Sequence, residues 1–144
     1  MGPRPDDRHR TVYESILRDN LSEELALFDF PDPSMVTGER ATTTIPAQSL
    51  YLMNNGFVIR QAEATAERVL AAPGTDEERL RLAYKLCFAR SPSDKETRGA
   101  VDFLRRYTEA TARTGTAGAE RAKRTAWSAL CQALFASAEF SNLN

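Results

Sequence analysis

The residues of this sequence whose types suggest chemistry gather in one segment, from Ala26 to Asn54. Within it, Asp29 and Asp32 are three positions apart in a proline-rich stretch, and Glu39 and Arg40 follow. Carboxylates placed in this way would hold a calcium ion or act as acid and base, although the spacing is not that of an EF-hand. The interpretation we favour is that one aspartate caps a turn and pairs with Arg40, because Asp is common in turns, where it hydrogen-bonds nearby backbone groups.

A second polar group surrounds a predicted helix start at Pro46. The run from Thr42 to Ser49 is Thr-Thr-Thr-Ile-Pro-Ala-Gln-Ser. Free N–H groups at a helix N-terminus can hold an anion, so this run would suit phosphate, sulfate or a carboxylate side chain. The alternative is self-capping, in which Thr44 accepts from the first-turn N–H groups and Gln48 reaches back to the preceding loop. We favour self-capping, because such caps are routine.

The candidates for binding a ligand or another domain are therefore seven residues with polar side chains in this segment. They are Asp29, Asp32, Arg40, Thr43, Thr44, Gln48 and Asn54. No catalytic residue is predicted among them, and no metal site.

Most familiar catalytic centres are missing from the sequence. With His9 as the only histidine, a Ser-His-Asp set, a Cys-His pair or a site with several histidine ligands is hard to build. The motifs H-E-x-x-H, G-x-G-x-x-G, G-x-x-x-x-G-K-[ST] and C-x-x-C-H do not occur. We predict no cofactor. Cys87 and Cys131 fall on apolar helical faces, which predicts inert core thiols, with a disulfide between their helices as the alternative.

The elements that must position these residues are predicted to be helices. Apolar spacing from Val12 to Phe28 predicts two short helices. Pro31, Pro33 and Gly38 exclude a regular helix, which predicts a structured Pro/Thr-rich loop near residues 29–45. A further helix is predicted to begin at Pro46 and to stop at Asn54-Asn55-Gly56.

Longer helices are predicted after this stop. Capping boxes, Thr75-x-x-Glu78 and Ser93-x-x-Glu96, open two of them. The predicted ranges are 57–71, from 75 to a stop at Ser91-Pro92, 93–113 and 119–138. Their predicted core faces carry Val58, Ala62, Thr65 and Val69; Leu80, Ala83, Tyr84, Cys87 and Phe88; Val101, Leu104 and Tyr107; and Ala126, Trp127, Leu130, Leu134 and Ala138.

The helical spacing and punctuation predict an all-α fold class, a compact array of about five to six helices. The apolar fraction of 42% is near the globular average, so a chain of 144 residues is expected to bury a conventional core. We predict residues 1–9 to be a flexible arm or a cut end, and residues 10–144 to be a single helical domain, a fragment of a larger multidomain protein. The net charge of −1 does not favour nucleic acid as a partner, and no apolar run reaches the length of a membrane span.

The segment from Leu27 to Asn54 also carries a family resemblance. Leu27-Phe28-Asp29-Phe30-Pro31-Asp32-Pro33, then Gly38-Glu39-Arg40 and Pro46-x-Gln48-Ser49-Leu50-x-Leu52-x-Asn54, resemble the planctomycete-specific C-terminal domain of unknown function, family 1553. Ala89-Arg90-Ser91-Pro92-Ser93 resembles a later helix junction of that family, and Trp127 to Phe140 its ending. The chain is shorter than the full family domain, so the resemblance implies the C-terminal portion alone.

The resemblance implies a context more than a reaction. Proteins of that family look like large exported products in which this domain follows another uncharacterised domain and often a cytochrome-c-like module. The leading hypothesis is an accessory helical domain that packs on, and helps to shape, the upstream domain of an exported protein at the periplasm or cell surface. One alternative is the C-terminal half of a hydrolytic or redox-linked enzyme, completed by upstream residues. Another is a module that binds a surface.

Overall fold

The computed structural model describes residues 27–28, 46–113 and 118–141, and this part of the chain is all-α. No strand occurs among these residues, which confirms the predicted fold class. The described helices number six. They are α1 (Pro46–Asn54), α2 (Gly56–Ala71), α3 (Asp76–Phe88), α4 (Asp94–Arg113), α5 (Ala119–Phe135) and α6 (Ala138–Ser141).

The chain divides into two compact units, and their boundary falls within α1. The first unit is Met1–Tyr51 and the second is Leu52–Asn144. In the first unit the described residues are Leu27, Phe28 and those of α1 as far as Tyr51. The second unit contains the end of α1 and all of α2 to α6.

Local sequence signals fix where the helices of the second unit begin. The Oδ1 atom of Asn55 accepts from the backbone N–H of Phe57 at 2.8 Å and so caps α2. Thr75 and Glu78 form the predicted capping box at the start of α3. Ser93 and Glu96 make the same reciprocal bonds before α4, at 2.7 Å and 3.3 Å. These side chains satisfy N–H groups that a helix leaves unpaired at its start.

The core of the second unit forms around α5, which packs mainly against α2 and α4. Its largest fully buried side chain is that of Trp127, with 1% of its surface exposed. The buried core comprises Ala62, Ala66, Val69, Leu80, Ala83, Tyr84, Ala100, Leu104, Ala126, Trp127, Leu130, Cys131 and Leu134. Small residues dominate the α2 face, so α2 and α5 can approach closely.

Two predicted core positions are wrong. Val101 is exposed, and Ala100 is buried in its place, because the buried stripe of α4 runs through Ala100 and Leu104. Ala138 is exposed and does not belong to α5, which ends at Phe135 and is followed by a turn. All the core positions predicted for α3 are buried or half-buried.

Several predictions fall outside the described residues. They concern the arm at 1–9, the two helices predicted between Val12 and Phe28 except for their last two residues, and the Pro/Thr-rich loop near residues 29–45. The single-domain boundary at 10–144 stays a prediction. Among the described helices, none is both long and apolar enough to cross a membrane.

Candidate functional site

Two of the seven candidate residues, Gln48 and Asn54, belong to the described part of the chain. Both are on α1, where Gln48 is buried and Asn54 is exposed. The other five lie outside the described residues, so their geometry stays a prediction. They are Asp29, Asp32, Arg40, Thr43 and Thr44.

The side chain of Gln48 is used within the first unit. Its Nε2 atom donates a hydrogen bond to the backbone carbonyl of Leu27 at 2.9 Å, and only 6% of the residue surface is exposed. Beside it, the rings of Phe28 and Tyr51 meet edge to face, with their centroids 5.8 Å apart. A buried amide needs such a partner, because an unsatisfied one is costly. The Gln48 contact therefore ties α1 to the backbone 21 residues earlier.

The outer side of α1 shows the opposite arrangement, with apolar side chains exposed. Leu50, in the first unit, has 63% of its surface exposed. In the second unit, Met53 is 57% exposed and Phe57, at the start of α2, is 41% exposed. The carbonyl of Met53 accepts a hydrogen bond from Nε2 of Gln132 at 2.6 Å, which fixes the end of α1 to α5. Single exposed apolar residues are ordinary, but a helix that buries glutamine and exposes leucine and methionine is not.

A second polar arrangement, around Arg90, was not predicted as a site. Arg90 follows the end of α3, and its guanidinium binds Glu96 of α4 at 2.7 Å and 3.0 Å. The same group binds Glu139 of α6 at 2.6 Å and 2.7 Å. It also lies over the rings of Tyr84 and Phe88, 5.5 Å and 5.6 Å from their centroids. We call these five residues the Arg90 cluster.

The contacts of the Arg90 cluster keep its charged groups ionised. Hydrogen bonds from Arg90, and then from the hydroxyl and N–H of Ser93, lower the pKa of Glu96 to about 2. Hydrogen bonds from Arg90 also lower the pKa of Glu139. The pKa of Arg90 is raised because its charged form donates to Glu139 and Glu96. Fully ionised groups at neutral pH suit a structural contact, whereas a general acid or base needs a pKa near the working pH.

The two cysteines are free thiols in the interior of the second unit. Cys131 is fully buried and Cys87 is half-buried. Burial raises the pKa of Cys87 to about 11 and that of Cys131 to about 12. Since the thiolate is the nucleophile and the metal ligand, these thiols are poor in both roles. Within the described residues, no group of three or more His, Cys, Asp or Glu side chains is placed to hold a metal ion.

A shallow groove of about 240 Å³ lies between the start of α3 and the middle of α4. Its lining is mixed in charge and comprises Glu77, Thr97, Arg98, Val101, Asp102 and Arg105. Arg105 already pairs with Asp102 at 2.6 Å and with Glu109 at 3.3 Å. Thr97 donates its hydroxyl to the carbonyl of Ser93. Most of the polar groups in the groove therefore already have partners on α4 or just before it.

The sequence of this chain matches a known protein family. The family profile described as PSD1, protein of unknown function (DUF1553), matches residues 2–104. The chain belongs to the PSD1 family. No curated protein and no solved structure matches it.

The PSD1 match includes all seven candidate residues and the whole segment from Ala26 to Asn54. It also includes Arg90 and Glu96, but it ends at Leu104, in the middle of α4. Glu139, α5 and α6 therefore lie beyond the matched residues. The similarity suggested for Trp127 to Phe140 stays a prediction.

Sequence reasoning missed the Arg90 cluster for an identifiable reason. The capping box at Ser93 and Glu96 was visible as a local motif, and Arg90 precedes it by three residues. That proximity could have suggested the Arg90–Glu96 pair. Glu139 follows 43 residues after Glu96, and nothing local in the sequence connects the two.

Proposed function

We propose that this PSD1 chain is an accessory helical domain that packs on, and helps to shape, an upstream domain of the same exported polypeptide. The proposal rests on which side chains of α1 are buried and which are exposed. This helix buries Gln48 and exposes Leu50 and Met53. When another protein domain covers apolar side chains that are exposed in the isolated chain, their removal from water lowers the free energy.

The role of Gln48 supports a structural rather than a catalytic use of this segment. Its amide nitrogen donates a hydrogen bond to the backbone carbonyl of Leu27, and the residue is buried. An enzyme completed by upstream residues would need Gln48 to face a ligand, together with Asp29, Asp32 and Arg40. The buried position of Gln48 therefore favours the accessory-domain proposal over the enzyme alternative.

The test compares hydrogen exchange in the isolated chain and in the full-length parent protein. We expect the backbone amides of Ala26 to Asn54 to exchange more slowly in the parent, because the upstream domain covers them. The amides of α4, which is remote in sequence from this segment, serve as the internal reference. Equal exchange from Ala26 to Asn54 in the two proteins would show that the segment contacts no upstream domain.

Paired substitutions sharpen this test. Leu50→Gln and Met53→Gln keep helix propensity but remove the apolar side chains. Since both residues are largely exposed, we expect the stability of the isolated chain to change by no more than about 0.5 kcal/mol. In the parent, the same pair should abolish the extra protection. Val101→Gln, at an exposed apolar residue of α4, is the matched control and should leave that protection intact.

Turnover separates the enzyme alternative from this proposal. If the parent protein has an activity, Asp32→Ala and Arg40→Ala would abolish it without lowering the melting temperature if these residues are catalytic. Structural residues would instead lower the melting temperature first. We expect the second result.

A further inference from the structure

The last described helix, α6, is too short to be stable alone. It has four residues, Ala138–Ser141, and an isolated helix needs roughly a dozen residues or more to be even marginal in water. Contacts with the rest of the second unit must therefore hold it. Two side-chain contacts do so: the pair of hydrogen bonds between Glu139 and Arg90, and the contact between the rings of Phe140 and Phe135, with centroids 4.9 Å apart.

Both side chains that α6 uses for these contacts are largely exposed. The side chain of Glu139 has 47% of its surface exposed, and Phe140 is 42% exposed. Exposed ion pairs contribute little to stability because water and salt screen them and because side-chain entropy opposes them. A half-exposed ring likewise gains only part of the free energy of full burial. The attachment of α6 is therefore weak compared with that of the buried helices.

Arg90 itself does not depend on α6. The pair that it forms with Glu96 spans six residues, joining the end of α3 to the capping box of α4. Its Nη1 atom also donates to the carbonyl of Ser91 at 3.1 Å, and the rings of Tyr84 and Phe88 lie beneath it. Loss of Glu139 would thus leave the guanidinium in place.

We propose that α6 is a detachable latch, closed by the ion pair between Arg90 and Glu139, which opens while α2 to α5 stay folded. Such partial opening is expected where an element has few buried contacts. Opening frees the Nε–H group of Arg90 and the N–H of Nη2 that binds Glu139, while Nη2 still donates to Glu96. It also removes the Phe140 ring from the ring of Phe135. The latch thereby controls access to these N–H groups of Arg90 and to the side of the Phe135 ring that Phe140 contacts.

The charges around Glu139 determine what opens the latch. Arg90, after α3, attracts Glu139, whereas Glu96 of α4 repels it. Tyr84 of α3 also faces this group and is uncharged at neutral pH, and on the α5 side the neighbour is the apolar Phe135. Hydrogen bonding lowers the pKa of Glu139 in the folded chain, so its contribution is complete above its ordinary pKa and is lost as the pH falls through the lowered value.

Acid should therefore weaken the latch as Glu139 becomes protonated. The pKa of Glu96 is lowered to about 2, so the pair between Arg90 and Glu96 holds until the pH approaches that value. High salt is expected to act in the same direction, because it screens the exposed pair of Arg90 and Glu139.

Hydrogen exchange of the whole 144-residue chain, measured by NMR, tests the proposal. The reporter is the amide of Phe140, which donates to the carbonyl of Ser137 at 3.1 Å. In the wild type it should exchange faster than the amides of Leu130 and Leu104. Glu139→Gln should raise its rate by about two- to fivefold, after correction for intrinsic exchange, and leave those core amides unchanged.

Glu109→Gln is the matched control. It removes a carboxylate paired with Arg105 on α4, so it changes the net charge equally without touching α6. The Phe140 rate should be unchanged in this variant. Two results would overturn the proposal. One is a Phe140 rate that is the same in Glu139→Gln and in the wild type. The other is a Phe140 amide that exchanges no faster than the core amides.

Discussion

At the scale of single residues, burial decides what the two cysteines can do. Cys87 and Cys131 belong to the apolar interior of the second unit, and desolvation raises their pKa values to about 11 and about 12. An ordinary thiol, with a pKa near 8.5, is partly ionised at pH 8. In the folded chain almost none of either thiol is ionised at that pH. Their positions in the sequence predicted inert thiols, and their environment explains why.

We therefore expect both thiols to react slowly with a disulfide reagent such as Ellman's reagent at pH 8. The rate in the folded chain should be roughly a hundredfold or more below the rate in urea, because the reactive thiolate is scarce. Two thiols should be titrated once the chain is unfolded. One thiol that reacts rapidly under native conditions would contradict the buried environment, and Cys87→Ala would identify which of the two it is.

The same thiols make stability depend on alkaline pH. Because the folded-state pKa of each is raised, the contribution to stability is complete below the unfolded value of about 9 and is lost as the pH rises through the folded value. The urea midpoint should thus fall between pH 9 and pH 11. In the Cys87→Ala, Cys131→Ala double variant this dependence should be smaller, which separates it from the titration of other groups.

At the scale of elements, the junction between α3 and α4 contains a residue with a strained backbone, Ala89, which ends α3, and a capping box, Ser93 with Glu96, which begins α4. Ala89 ends α3 in the left-handed region, at φ 57° and ψ 19°, where its N–H donates to the carbonyl of Lys85. Glycine is the usual residue at such a position because a Cβ is disfavoured there. The conformation turns the chain so that Arg90 meets Glu96, and Ser93 then begins α4.

Ala89→Gly should accordingly stabilise the chain, by about 0.5 to 1 kcal/mol, because it relieves the left-handed strain. Thermal unfolding followed by circular dichroism measures this change. Ala64→Gly is the matched control, since Ala64 is exposed in the middle of α2 and the same substitution there should cost about 1 kcal/mol. If both variants were destabilised equally, the backbone of Ala89 would not be strained.

These helices show which parts of the fold can be predicted from the sequence. Caps are local, so Thr75 and Ser93 predicted helix starts to within a residue. Asn55, predicted only as part of a helix stop, also caps the start of α2. The burial of Val101 was predicted wrongly because two adjacent apolar residues of α4 compete for one face, and only the packing of α5 selects Ala100. The pairs of Arg90 with Glu139 and of Gln48 with Leu27 depend on the tertiary fold, which no local motif records.

At the scale of the whole molecule, the PSD1 match and the buried core do not coincide. The match ends at Leu104, whereas α5 begins at Ala119 and supplies Trp127, Leu130 and Leu134 to the core. The charged side chains agree with this packing, since Lys123 of α5 binds Asp76 of α3 at 2.8 Å. The second unit therefore requires residues beyond the family match.

In a chain that stops at residue 104, the second unit should for this reason fail to fold cooperatively. Loss of a buried tryptophan typically costs about 3 to 5 kcal/mol, and loss of each buried leucine about 2 to 5 kcal/mol. Removal of Trp127, Leu130 and Leu134 together thus costs about as much as the roughly 5 to 15 kcal/mol that stabilises an ordinary domain. We expect the second unit to give no sigmoidal thermal transition by circular dichroism.

A chain that stops at residue 137 provides the comparison. It lacks α6 but keeps all of α5, so it should retain a cooperative transition and the fluorescence of a buried Trp127. Its stability should be only slightly below that of the whole chain, because the contacts of α6 are largely exposed. A cooperative transition in the chain of 104 residues would show that α5 is an addition to a core that is already complete. Its absence, with folding retained at 137 residues, would place the end of the minimal folded unit between residues 104 and 137, the range that contains α5.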